Sequence, residues 1–160
     1  MKKLVYFFMA TICLSILASC NGATVYDTYV HTPIAGWEKN DTLSFDVPPL
    51  TEGGNYQENL GLRITRAYPF MGLTLIVEQT IFHNKQKMAA ESKKDTVNCQ
   101  LIDKNGSSKG QGISYIQYNL PINVYPMQEG DSIHIAIRHD MKREILPGVS
   151  DVGVKISKMQ

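Results

Sequence analysis

Ser132-Ile133-His134-Ile135-Ala136-Ile137-Arg138 sets an isoleucine at every second position. Successive side chains of a strand point to opposite faces, so this stretch buries one side and wets the other. A helix would turn Ile135 away from Ile133 and Ile137, which gives no shared apolar face. The period is that of a half-buried strand.

The same period recurs on both sides. Downstream, Pro147-Gly148 turns the chain and Val152, Val154 and Ile156 close it. Upstream, Ile116, Tyr118, Leu120, Ile122 and Val124 form one long apolar face. Pro121 within it marks an edge strand or a bulge, because proline cannot donate to a ladder. Val97 to Ile102 reads as a strand, followed by Asp103-Lys104-Asn105-Gly106, a hairpin signal, since Asn-Gly suits a turn of positive φ. Leu73, Leu75 and Val77 alternate, as do Leu60, Leu62 and Ile64, with Arg63 and Thr65 on the opposite face. Gly53-Gly54-Asn55 reads as a turn. Leu43, Phe45 and Val47 form a strand that Pro48-Pro49 ends, and Val25 to Val30 opens the domain. From His83 to Asp95 the pattern fails, and this lysine-rich stretch reads as a solvated surface loop or one helical turn. About eight short strands without a convincing helix predict an all-β fold, an antiparallel two-sheet sandwich of Ig-like or jelly-roll-like kind.

The N-terminus carries a different message. Lys2 and Lys3 precede an apolar run from Leu4 to Ala18, and Leu17-Ala18-Ser19-Cys20 ends it. Cationic start, apolar run and small residues form an export signal. The run is shorter than the roughly 20 residues a membrane-spanning helix needs. Leu17 to Cys20 resembles a lipobox, where cleavage leaves a lipid-modified Cys20 as the new N-terminus. Residues 1–19 therefore read as a lipoprotein signal peptide, 20–24 as lipidated cysteine and tether, and 25–160 as one domain. The location this implies is the cell membrane or outer membrane, lipid-anchored, facing the periplasm or the surface.

Charge and cysteines exclude several classes. The chain has 16 Lys+Arg against 15 Asp+Glu; losing Lys2 and Lys3 leaves 14 against 15. Near neutrality offers no electrostatic case for nucleic acid. Cys13 leaves with the signal and Cys20 takes lipid, so Cys99 has no disulfide partner. Alternation places it on the apolar face with Val97 and Leu101, as a small buried hydrophobe.

The search for chemistry is empty. His134 and His139 are an odd number apart on one strand and face opposite ways, so they do not share a metal. His31 and His83 lie in turn or loop sequence. No Gly-x-Ser-x-Gly elbow or phosphate-cradling loop is present. No enzyme and no cofactor are expected. Two weaker sites remain. Lys142, Arg143, Glu144 and Leu146 mix charge and apolar residues in an exposed-looking loop suited to an envelope protein partner; the lysine-rich 83–95 stretch is its rival. Trp37, with Tyr115, Tyr118 and Tyr125, offers aromatic faces on which a glycan-binding module stacks sugars, although Trp37 beside Pro33-Ile34-Ala35-Gly36 reads better as a plug for one end of the sandwich.

Tyr26-Asp27-Thr28-Tyr29, Pro33-Ile34-Ala35-Gly36-Trp37, Leu60-Gly61-Leu62-Arg63-Ile64 with Tyr68-Pro69-Phe70, and the closing run Met141 to Ile156 together resemble the gliding-motility-associated lipoprotein H family (GldH) of the Bacteroidetes. The resemblance covers Tyr26 to Ile156. It implies an envelope lipoprotein that supports the gliding apparatus and its secretion machinery, with no catalytic residue. The one family site it carries over is the lipidated Cys20.

Overall fold

The computed structural model describes residues 24–84 and 91–159. Cys20, the signal segment and the tether up to residue 23 lie outside them, as do residues 85–90. Among the described residues there are ten strands and no helix: β1 (Thr24–His31), β2 (Trp37–Glu38), β3 (Leu43–Val47), β4 (Gly54–Ile64), β5 (Gly72–Phe82), β6 (Glu91–Gln100), β7 (Ile116–Met127), β8 (Ser132–His139), β9 (Ile145–Leu146) and β10 (Val149–Lys158). Eight are long, and β2 and β9 are two-residue pieces that pair with each other.

The long strands form two four-stranded sheets, ordered β1-β10-β4-β7 and β3-β8-β5-β6. Every pairing is antiparallel. The chain changes sheet at each connection between long strands except the β5–β6 hairpin. That crossing pattern is a jelly roll, and it decides against the Ig-like alternative. Alternation explains the core. Ile133, Ile135 and Ile137 of β8, Leu73, Leu75 and Val77 of β5, and Leu43, Phe45 and Val47 of β3 face inward. They meet Leu60, Leu62 and Ile64 of β4 and Val152, Val154 and Ile156 of β10.

Three expectations change. First, the loop assigned to 83–95 is a strand from Glu91 onward, with Gln79 opposite Lys93 and Val77 opposite Asp95. An edge strand whose residues are mostly wet shows little alternation, and its lysines discourage pairing with another chain. Second, Ile116 to Val124 is not one face. The pairing register slips between Glu58 and Asn59, which oppose Asn123 and Pro121 and leave Ile122 as an extra residue. This bulge beside Pro121, on an edge strand as expected, reverses the phase. Tyr125 and Met127 therefore point inward and Val124 outward. Third, β4 begins at Gly54, inside the expected turn, and β1 begins at Thr24.

The turn at Asp103 is present. Asp103 Oδ1 accepts the Asn105 and Ser107 N–H groups at 2.8 and 2.9 Å, and Gly106 takes φ +81°. Cys99 is buried as expected, and burial pushes its thiol up to about 12, which keeps it unreactive at neutral pH.

Candidate functional site

Strand registers define two ends of the sandwich. Thr24 pairs with Ser157, Tyr56 with Lys158, and Gly54 with Met127. The β3–β4 and β7–β8 connections and the β5–β6 hairpin therefore share the end where the chain enters. At the far end, His31 pairs with Asp151, Ile64 with Ile116 and Leu75 with His139. The loops after β1, β4, β6 and β8 meet there.

The near end is held by Asp131. Burial alone would raise its carboxyl, but the Gln128 and Asn84 N–H groups and His83 outweigh that and hold it below its ordinary 3.8. His83 Nδ1 lies 3.0 Å from Asp131 Oδ2.

The far end is closed by Trp37, which is 0% exposed. The Trp37–Leu146 pair of the β2–β9 bridge carries it inward, and its Nε1–H donates to Asp41 O at 2.9 Å. The His139 ring meets it edge-on, with centroids 5.2 Å apart. His139 points inward with the β8 isoleucines while His134 faces out, so the two do not converge. Burial lowers the His139 pKa, and the neutral ring donates from Nε2 to Trp37 O at 3.0 Å. Trp37 is the plug and offers no face to a ligand. Tyr118 and Tyr125 are also buried, and of the four aromatic candidates only Tyr115 is exposed.

The Lys142–Leu146 stretch is exposed only in part. Lys142, Arg143 and Glu144 are exposed. Leu146 is 0% exposed and belongs to the core; its neighbour Ile145 faces out instead, 48% exposed. A strand of two residues has one of each parity, so no period in the sequence could say which one turns in. Gly36, at φ +120°, packs directly on the Ile145 side chain, which brings the exposed Ile34 loop beside it. Ile34, Met71, Ile113, Tyr115 and Ile145 are all exposed large apolar residues of the far end. Phe82 and Met159 are exposed at the near end and Val124 on β7, so five of the eight exposed large apolar side chains lie at the far end, more than scatter of single residues gives.

Sequence reasoning missed a stack on the outer face of the β1-β10-β4-β7 sheet. Gly61 and Gly153 face each other across β4 and β10, and the Tyr29 ring lies over both. Any Cβ there would collide with it. The Arg63 guanidinium sits 4.1 Å from the Tyr29 ring centroid and 5.5 Å from that of Tyr115. Asp151, buried beneath, contacts His31 and lies 4.0 Å from Arg63 Nη1. These cation–π contacts, of about 0.5–2 kcal/mol each, tie Tyr29 of β1 and Tyr115 of the β6–β7 connection to Arg63 of β4. Glycines inside strand patterns were the available clue.

The family model described as GldH lipoprotein matches residues 24–156, nearly all of the domain just described. The chain belongs to the GldH lipoprotein family. The gliding motility lipoprotein GldH of Flavobacterium johnsoniae is 29% identical over 153 residues, covering 89% of this chain and 90% of that one. Among solved structures, a protein from Sulfurospirillum deleyianum covers 84% of this chain and 98% of its own at 9% identity, with a TM-score of 0.47. A xylan-binding domain from Paenibacillus barcinonensis covers 88% and 93% at 12% identity and a TM-score of 0.41. The fold assignment rests on the strand pairing itself. As a GldH-family lipoprotein the chain is membrane-associated. Among the described residues no three His, Cys, Asp or Glu side chains come together as a metal set.

Proposed function

We propose that this GldH-family chain is a non-enzymatic envelope lipoprotein, anchored through Cys20, that binds another protein of the gliding and secretion machinery with the far end of its sandwich. The observation that carries this is polarity: the chain enters at the Thr24 end, while Ile34, Met71, Ile113, Tyr115 and Ile145 crowd the opposite one. Length makes the polarity matter. Four residues from Cys20 to Thr24 reach at most about 14 Å, so the near-end loops lie close to the lipid surface. Strands of 11 residues raise the far end roughly 35 Å above them. A folded partner reaches that end freely and the near end poorly, so of the two charged stretches Lys142–Glu144 is favoured over the lysine-rich one. Exposed apolar residues with the charged Lys142, Arg143 and Glu144 beside Ile145 suit a protein patch better than a lipid or nucleic acid.

Cys20→Ala tests the anchor. The wild type is expected in the membrane fraction with an acyl mass on Cys20, and the variant in the soluble fraction with none, because several acyl chains at about 0.8 kcal/mol per buried methylene hold a protein permanently. An unacylated, soluble wild type would remove the anchor from the proposal.

A further inference from the structure

Among the described residues the two sheets end in four edge strands, β1, β7, β3 and β6, and three of these are guarded. β7 carries Pro121, Pro126 and the bulge, β6 presents Lys93 and Lys94, and β3 is only five residues long and runs into Pro48-Pro49. Proline, lysine, bulges and shortness are the usual means of keeping a stray chain off an edge. From Tyr26 to His31, β1 has none of them. Tyr26, Thr28, Tyr29 and Val30 are β-branched or aromatic and favour an extended chain. The one irregularity of β1, at Val25, lies at the end where the chain enters.

The hydrogen-bond phase of β1 fixes what this edge offers. Thr32 N–H donates to Ser150 O at 3.1 Å, continuing the register of the β1–β10 ladder. Ladder bonds of an antiparallel pair fall on alternate residues, so Tyr26, Thr28 and Val30 are the ones bonded to β10. The N–H and C=O groups of Asp27, Tyr29 and His31 therefore point to the open side. Among the described residues no hydrogen bond outside the ladder engages them. Side chains divide the same way: Tyr26 and Val30 pack half-buried against the core, and Asp27 is exposed on the outer face.

We infer that β1 receives an extended segment of another protein as a fifth strand of the β1-β10-β4-β7 sheet. This adds a second contact surface and rests on the reading that the chain binds an envelope protein. Backbone pairing with Asp27, Tyr29 and His31 supplies affinity, and alternate side chains supply specificity. On the inner side the incoming strand meets Tyr26 and Val30, which calls for apolar residues. On the outer side Asp27, the one charge between Tyr26 and Val30, calls for a lysine or arginine. β1 ends at His31, just before the exposed Ile34, so the segment leads onto the far-end surface. A second copy of the chain does not fit this edge. Antiparallel pairing of two β1 strands about Tyr29 sets the second Thr24 roughly 33 Å above the first. A tether reaching about 14 Å cannot return its Cys20 to the same membrane.

The test adds a probe peptide to the full-length protein in detergent micelles. The probe alternates valine and threonine around one central lysine, and N-methyl groups on every second amide leave it a single pairing edge. Amide hydrogen exchange is followed by NMR up to about 5 mM peptide, because a short flexible strand binds weakly. Exchange at Asp27, Tyr29 and His31 is expected to slow several-fold and saturably, with little change at Tyr26, Thr28 and Val30. A probe methylated at every amide should have no effect. Asp27→Pro removes one outward N–H without touching the ladder and should weaken binding about tenfold. Asp27→Lys should weaken the lysine probe and strengthen one carrying glutamate in its place; should the proline variant fail to fold, this one decides. No slowing at Asp27, Tyr29 and His31 overturns the inference, as does slowing that ignores both variants. Slowing of the same amides without peptide, rising with protein concentration, overturns it in favour of a second copy. Cross-linking from Ile34 and Ile145 reads the far-end surface separately, so either reading can fall while the other stands.

Discussion

Trp37→Ala is expected to cost about 3–5 kcal/mol of stability, the range for emptying a large aromatic site in a core. For a domain of this size the melting temperature falls by roughly 10–15 °C. Three losses add up. The ring leaves a cavity beside Leu146 and His139, the Asp41 carbonyl loses its donor, and His139 loses the ring it meets edge-on. The β2–β9 bridge has only two residue pairs, so little else holds that end closed. Thermal unfolding followed by circular dichroism measures the effect, with Trp37→Phe as the control that keeps most of the volume and loses less. A shift of only a degree or two for Trp37→Ala would show that the far end is not plugged by this residue. Membrane attachment through Cys20 should persist in either variant.

Glu58→Gln should stabilise the protein near and above neutral pH and do little in acid. Burial holds the Glu58 carboxyl above its ordinary 4.5, with the Tyr125 and Gln79 hydrogen bonds offsetting this in part. A raised folded-state value means that the group's favourable contribution is complete below 4.5 and is lost as pH rises through the folded value. Glutamine copies the neutral form. Its Oε1 accepts from Tyr125 and its amide N–H can donate to Gln79 Oε1, which now lacks a donor. Removing the buried charge is worth on the order of 1–3 kcal/mol at about pH 8. Melting curves of both proteins at about pH 4 and pH 8 read this directly, and the gap should open only at the higher pH. A gap of equal size at both would mean that the Glu58 charge carries no penalty in the fold.

Legibility in the sequence followed the physics of each element. β8 and β3 each bury one face and wet the other, and β10 keeps an apolar inner face although Asp151 and Gly153 are buried on its outer one, so Ile133, Phe45 and Val154 announce themselves through the period alone. β6 was hidden because an edge strand with exposed lysines has no dry face to write a pattern. β7 was half hidden: Pro121 pointed to a bulge, but the bulge reverses every later side chain, which put Tyr125 in the core and Val124 outside. The jelly-roll order comes from pairings such as Tyr29 with Gly153, far apart in the chain, and no local period records them. In the 142–146 stretch the exposure of Lys142, Arg143 and Glu144 is legible from their charge, but that of Ile145 and the burial of Leu146 are not, since a two-residue strand shows no period. Glu58 shows in the sequence as an acid in phase with Leu60 and Leu62, the one sign there of a charged group in the core of β4.

The most direct measurement places a photo-crosslinking amino acid in living cells at Ile34 or Ile145 on the far end, and at Phe82 or Glu129 on the near end. All four side chains are exposed, so the fold tolerates the probe at each. The expected result is a discrete protein adduct from Ile34 and Ile145 that disappears with Ile34→Asp or Ile145→Asp, with no such adduct from Phe82 or Glu129. Adducts confined to the near-end positions, or none from the far end in cells where the protein is functional, would contradict a docking surface opposite the anchor.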